Sequence, residues 1–296
     1  SRAAAAPTSR PAAGAFRVPV EDVGHTRTWM AWPDSTAIWG RGTLAGIQAD
    51  IALIARTIAR YEPVVMCANS ASADKARSVC GTSVTVISSI PVDDCWMRDT
   101  GPVFRTDGAG GLDAVGLNFN GWGNKQAHGK DARVAERIAS YVGVPFTSAD
   151  FVGEGGAIEQ DGADTLMATR GSLLNRNPGM SERTLTAEMC EAYGASKVIW
   201  FDGVYGQDIT DNHVDATSRF LAPGEALVQM PLATDNDAYA KDAVFCAHFG
   251  DSRADTAAKA TLARLYPDRT IGQLNIDRLG TGGGDIHCVT QQQPVP

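Results

Sequence analysis

The chain lacks a run of apolar residues long enough to span a bilayer, an excess of positive charge and a cysteine framework. A spanning helix needs roughly 18 consecutive apolar residues, so no membrane partner is expected. Lys and Arg number 26 against 34 Asp and Glu, a net charge of -8. That balance removes the basic footprint that nucleic acid or an anionic surface requires and mildly favours a cationic ligand. Six cysteines in 296 residues suggest no disulfide scaffold. Cys67 and Cys80 are a candidate pair for a bridge in an oxidising compartment, with their geometry left open by the sequence. Cys-x-x-Cys is absent, and the glycines at 282–284 are not followed by Lys and Ser or Thr, which excludes a dithiol redox centre and a phosphate loop.

What is present is enough apolar material, 44% of residues, for a large core. Ser1 to Phe16, rich in Ala, Pro, Ser and Arg, is expected to be a flexible N-terminal segment. It lacks the apolar centre of an intact signal peptide. An exported chain after signal removal and a cytoplasmic one both fit. Residues 17–296 are expected to form a single catalytic domain.

Helical periodicity recurs four times, each time with a short strand behind it. The first helix spans about Leu44 to Tyr61, with Ile47, Ile51, Ile54 and Ile58 on one face, before the strand Pro63-Val64-Val65-Met66. The second covers Asp131 to Tyr141, before Val144-Pro145-Phe146. The third opens at an N-cap Ser181 and leads to Val198-Ile199-Trp200-Phe201. The fourth, Asp255 to Leu265, leads to Ile271-Gly272-Gln273-Leu274. Between them lie three hairpins, over 101–119, 155–169 and 214–229, turning at Asp107-Gly108, Asp161-Gly162 and Pro223-Gly224. The expected class is α/β, with helix-strand-hairpin units around a central site.

A polar residue of catalytic type stands at the start of each hairpin: Asp99, Glu154, and His213 with Asp215. Cys288 follows the turn Gly282-Gly283-Gly284, where backbone can approach a ligand closely. If the units surround an axis, these residues converge. Three carboxylates, one base and one thiol would repel a developing oxyanion or a phosphate and suit a cation. A guanidinium is planar and pairs bidentately with carboxylates, which would turn its central carbon toward a sulfur. Attack of a thiolate on a guanidine is the reaction that these residue types favour. Two alternatives stay open: a zinc site from His213, Asp215, His287 and Cys288, whose spacing matches no compact zinc motif, and a non-catalytic pocket for cations. Trp32, Trp39 and Trp122 would pack in the core or line a substrate channel.

Several blocks in this order resemble the family of agmatine deiminases and bacterial-type peptidyl-arginine deiminases, within the guanidine-modifying pentein superfamily. They are Trp29-Met30-Ala31-Trp32-Pro33, Trp96-Met97-Arg98-Asp99-Thr100-Gly101-Pro102, Asn118-Phe119-Asn120-Gly121-Trp122-Gly123, Glu154-Gly155-Gly156, Leu173-Leu174-Asn175-Arg176-Asn177-Pro178, His213-Val214-Asp215 and Gly282 through Gln293. The resemblance implies a five-bladed α/β propeller with one central site, no metal and no cofactor. It implies Cys288 as nucleophile, His213 as general acid and base, Asp99 and Asp215 as guanidinium clamps, and Glu154 steadying the histidine and contacting the substrate. Trp96, Trp32 and Trp122 would contact the substrate. Agmatine is the substrate implied first; peptidyl or free arginine is the alternative. The sequence departs from the family in two places. Only four units are countable, and 231–241 is too short for a fifth, although Val244-Phe245-Cys246 resembles its closing strand; this implies that a segment near Asp235 to Lys241 is missing. Arg170 stands where family members often carry a carboxylate, and the block after it is shortened, which bears on selectivity.

Overall fold

Period-two alternation in the first strand sorts its side chains between two apolar layers. In β1 (His25–Ala31), Trp29 and Ala31 face one core cluster, while Met30, with Trp32 just beyond the strand, faces another. The helix Leu44–Ile58 places Ile47, Ile51 and Ile54 in the Met30 layer, as its 3.6-residue spacing requires. The computed structural model describes residues 15–228 and 252–296.

The remaining strands are β2 (Val64–Cys67), β3 (Val84–Ile87), β4 (Val103–Thr106), β5 (Leu112–Gly116), β6 (Phe146–Ser148), β7 (Ile158–Gln160), β8 (Thr165–Thr169), β9 (Lys197–Phe201), β10 (Ser218–Ala222), β11 (Glu225–Val228) and β12 (Gln291–Pro294). They make four sheets among the described residues: β12-β1-β2-β3, β4-β5-β6, β7-β8-β9 and β10-β11. Each contains an antiparallel pair. In the first three, a helix then carries the chain to a parallel strand: Leu44–Ile58 to β2, Val134–Val142 to β6, and Glu182–Tyr193 to β9. Such a crossover is the usual solution for parallel neighbours. The first sheet joins both ends of the described chain, with Thr28 opposite Gln292 in β12 and opposite Val64 in β2.

This is the repeated α/β unit read from the sequence, and the three hairpins and the Ser181 cap fall where expected. The Ser181 side chain accepts a hydrogen bond from the Thr184 amide. Four points differ. A further helix-strand pair, Ala73–Cys80 and β3, extends the first sheet. Residues 271–274 form no strand. Phe16 is not loose, since its ring lies 6.0 Å from the Arg105 guanidinium. Cys67 and Cys80 are free thiols, because β2 turns Cys67 to the Trp29 layer while Cys80 sits in the Met30 layer across the sheet. The expectations for 231–241 and Val244 to Cys246, and for most of Ser1 to Phe16, lie outside the described residues. No described helix is long and apolar enough to cross a membrane.

A short helical turn precedes each of three hairpins: Met97–Thr100 before β4, Gly155–Ala157 before β7 and Val214–Ala216 before β10. The first turn touches the second, and the second touches the third. The inner ends of the units therefore meet, and Cys288 arrives there just before β12. Ile51 is fully buried, so Ile51→Ala should cost about 2–5 kcal/mol of stability in denaturant unfolding. A change below about 1 kcal/mol would contradict this packing.

Candidate active site

Asp99 lies in the first of these turns, Glu154 is the N-cap of the second, and His213 and Asp215 begin the third. Gly156 sits between them. A Cβ there would lie 2.7 Å from His213 Nδ1, 2.8 Å from Asp215 Oδ2 and 3.0 Å from Asp99 Oδ1. Only a residue without a side chain lets these three groups close around one point. The Gly156 amide also donates to Asp99 Oδ1 at 3.0 Å. Gly284 plays a similar part beside the thiol: its missing Cβ would strike the Trp96 ring at 2.2 Å and lie 3.2 Å from Cys288 Cβ.

These groups open on a cleft of about 560 Å³ lined by Cys288, His213, Asp99, Asp215, Trp96 and Trp122, with Trp39, Asp94, Gln126 and Asp208 further along its wall. Cys288 is half-buried. Trp122 Nε1 donates to Asp99 Oδ2 at 2.9 Å. To do so, Trp122 adopts φ 55, within a run that includes Asn118, Gly121, Gly123 and Asn124 at positive φ. For a bulky side chain that conformation is strained, and it marks this loop as built for position. Asp211 and Asn212, just before His213, also have positive φ.

His213 Nε2 is 3.2 Å from Glu154 Oε2, and its Nδ1 is 3.8 Å from Asp99 Oδ1. Burial works against charge on this ring, but the carboxylates of Asp99, Glu154 and Asp215 prevail and raise the imidazole to about 9. Glu154 accepts from Arg176 Nε at 2.7 Å through its other oxygen. Burial alone would push Glu154 up, yet His213 and Arg176 hold it below the usual value. Arg176 in turn binds Asp211 at 2.6 Å, and Lys125 binds Asp211 at 2.7 Å. Burial pushes the Asp99 carboxyl up; His213 opposes this, while Glu154 and Asp215 add to it. Burial also drives the Cys288 thiol well above its usual value, helped by Asp215 and Asp285. A thiol shifted in this direction is protonated at neutral pH.

The structure thus brings together Cys288, His213, Asp215, Asp99 and Glu154, with Trp96 and Trp122 beside them. Trp32 is a correction. Alternation beyond β1 turns it into the core, where it is fully buried, and it does not line the cleft. Trp39 lines the cleft, its indole donating to Asp94 at 2.7 Å. Glu154 does not line it, both of its oxygens being taken. Arg170 also lies outside it, paired with Glu182 and Asp202. Arg176, Asp211, Lys125 and the acids Asp94 and Asp208 were not singled out from sequence. Their one signal was Arg176 close after Leu173 and Leu174, since a buried arginine demands acidic partners.

Among the described residues, the three groups placed to share a metal are Glu21, Glu159 and His287, whose ligand atoms lie within 4.8 Å of one another. Arg98 and Arg219 already pair with Glu21, and Arg219 with Glu159, so a cation there would meet two guanidinium groups. The zinc set imagined from sequence does not converge. Asp215 pairs with His287, whereas His213 faces Asp99 and Glu154.

A profile of the Porphyromonas-type peptidyl-arginine deiminase family matches residues 17–242 and 236–294. An agmatine deiminase from Pseudomonas aeruginosa is 30% identical over an alignment 363 positions long, gaps included, covering 98% of each chain. The structure of an agmatine deiminase from Enterococcus faecalis superposes with a TM-score of 0.86 at 24% identity, covering 97% of this chain and 98% of that one. An agmatine deiminase from C. jejuni, solved with substrate bound, gives 0.82 at 18% identity, covering 94% and 96%. These likenesses agree with the α/β propeller expected from the sequence.

The cluster predicts an unusually basic histidine. The His213 ring should titrate near 9 in histidine-selective NMR, and Glu154→Gln should lower that midpoint, because a carboxylate charge that stabilises the imidazolium is gone. A midpoint near the unperturbed value of about 6.5 in the intact protein would contradict the arrangement.

Proposed function

As a member of the Porphyromonas-type peptidyl-arginine deiminase family, this chain is an enzyme for which we propose hydrolysis of agmatine to N-carbamoylputrescine and ammonia, with Cys288 as nucleophile. The composition of the cleft wall carries the choice of substrate. Asp94, Asp99, Asp208 and Asp215 line it, and among the described residues no Lys or Arg does. Agmatine presents a guanidinium at one end and an ammonium at the other, so both ends suit an acidic cleft. Free arginine adds a carboxylate that would face like charges with no guanidinium fork to receive it.

In this reading Asp99 and Asp215 hold the guanidinium from two sides, and Trp96 and Trp122 wall the planar group. Burial and the neighbouring acids keep the thiol protonated; the substrate's charge offsets the acids, so binding favours loss of the thiol proton to solvent water as the cleft fills. The Cys288 thiolate attacks the guanidinium carbon, giving a neutral tetrahedral adduct. His213, protonated at neutral pH, gives its proton to one amino group, which leaves as ammonia. A thiouronium on Cys288 remains, with His213 neutral. His213 then takes a proton from water as the hydroxide adds to the same carbon. The carbon–sulfur bond breaks, the thiolate is restored, and the last hydroxyl proton ends on ammonia as ammonium. Glu154 keeps His213 oriented and is itself held by Arg176.

Ammonia release tests the proposal. Agmatine should be turned over with kcat/KM about a hundredfold or more above that for free arginine. Cys288→Ser should lower kcat about a thousandfold or more. Full activity in Cys288→Ser, or preference for free arginine, would overturn the reading.

A further inference from the structure

The residue just before the nucleophile has no part in the chemistry above, yet it is hydrogen-bonded at both ring nitrogens. His287 Nδ1 lies 2.8 Å from Asp215 Oδ2, and Nε2 lies 3.0 Å from Glu21 Oε1. Its amide is fixed separately, donating to Asp285 Oδ1 at 2.8 Å. An ionised carboxylate can only accept, so two carboxylates on one imidazole require a proton on each nitrogen. The neighbours supply the matching charge. Glu21 also takes Arg98 at 2.9 Å and Arg219, and Glu159 takes Arg219 at 3.1 Å. Three acids, Asp215, Glu21 and Glu159, thus meet three cations, Arg98, Arg219 and an imidazolium.

Each partner comes from a different part of the chain: Glu21 from the segment before β1, Asp215 from the turn before β10, Arg98 from the turn before β4 and His287 from the approach to β12. Arg98 also donates to the Gln292 side chain at 2.7 Å, and its amide donates to the Cys288 carbonyl at 3.1 Å. The network therefore grips the nucleophile loop from behind, and His287 links it to Asp215, which faces the cleft.

We infer that His287 is a positioning residue for the deimination reaction: as an imidazolium braced on Glu21, it holds the Asp215 carboxylate at the angle and charge needed to clamp the substrate guanidinium. This rests on the function proposed above. Without the Nδ1–H, Asp215 loses its partner, rotates and protonates more readily, and one side of the clamp opens. His287 touches neither the guanidinium nor the leaving amine in this account. Its loss falls on substrate binding more than on the chemical step.

Two near-isosteres separate this role from mere support of the network. The amide of His287→Asn can donate where Nδ1 did, toward Asp215, whereas that of His287→Gln reaches where Nε2 did, toward Glu21. His287→Leu donates to neither. The measurements are kcat and KM for agmatine by ammonia release, agmatine affinity by calorimetry in the Cys288→Ser background, and melting temperature for each variant. The inference predicts that Leu and Gln raise KM and the dissociation constant about tenfold or more, the worth of a charge-assisted hydrogen bond, with kcat less affected. Asn should restore both to within a few-fold. Rescue by Gln instead of Asn would assign His287 to the Glu21 network and overturn the inference, as would unchanged KM in all three. If His287→Leu does not fold, His287→Gln against His287→Asn carries the test, and equal KM in those two also overturns the inference. Absence of ammonia from the unaltered enzyme would be a different failure, sinking the function itself.

Discussion

Buried carboxylates must be compensated, and several beside the cleft are paired with cations. Arg176 and His213 serve Glu154; Arg176 and Lys125 serve Asp211; His287 serves Asp215; Arg98 and Arg219 serve Glu21. Among the described residues Asp99 has two neutral donors, the Trp122 indole and the Gly156 amide, with the His213 ring at 3.8 Å. An acid left short of charge in a low-dielectric site is costly until a cation arrives. Asp99 also helps to keep the imidazole charged, while burial, with Asp215 and Asp285, pushes the thiol up. In the proposed reaction a guanidinium offsets the acid charge at Asp99 and favours the thiolate, which ties recognition to activation of the nucleophile.

The backbone supports this arrangement with conformations that a freely chosen loop would avoid. The 118–124 segment holds Trp122 at positive φ so that its indole reaches Asp99, and Asp211 and Asn212 turn the chain sharply into His213. Asp208 braces that second turn by accepting from the amides of Thr210 and Asn212. Strain of this kind persists only where surrounding contacts over-determine it. Here the Lys125–Asp211 ion pair joins the end of the first segment to the second, and Arg176 ties Asp211 to Glu154.

Periodicity made the helices at 44–58, 134–142, 182–193 and 252–265 legible, and turn residues exposed the hairpins. The polar residue placed before each hairpin then marked the site, because a repeated unit brings equivalent positions to one end. Less regular features escaped. Helix 73–80 and β3 are short, and β12 is a run of glutamines whose strand state comes from pairing with β1. Residues 271–274 carry a strand-like pattern but no strand, local preference yielding to tertiary context. Trp32 read as a channel residue by its type alone, whereas its place after β1 commits it to the core. The partners of Arg176 and His287 lie 22 to 266 residues away in sequence, and no local pattern encodes such pairings.

The central claim is that one sulfur, opposite Asp99 and Asp215, attacks a flat cationic carbon. It is tested most directly by acid-quenching the enzyme during turnover of agmatine and mapping modified peptides by mass spectrometry. The account predicts an amidino adduct, agmatine less ammonia, on the peptide that contains Cys288 and on no other cysteine peptide. Turnover without any covalent species when release of the second product is rate-limiting would not bear on it, so the quench is made in a single-turnover burst at saturating enzyme. Ammonia formed in that burst with Cys288 unmodified throughout would contradict it.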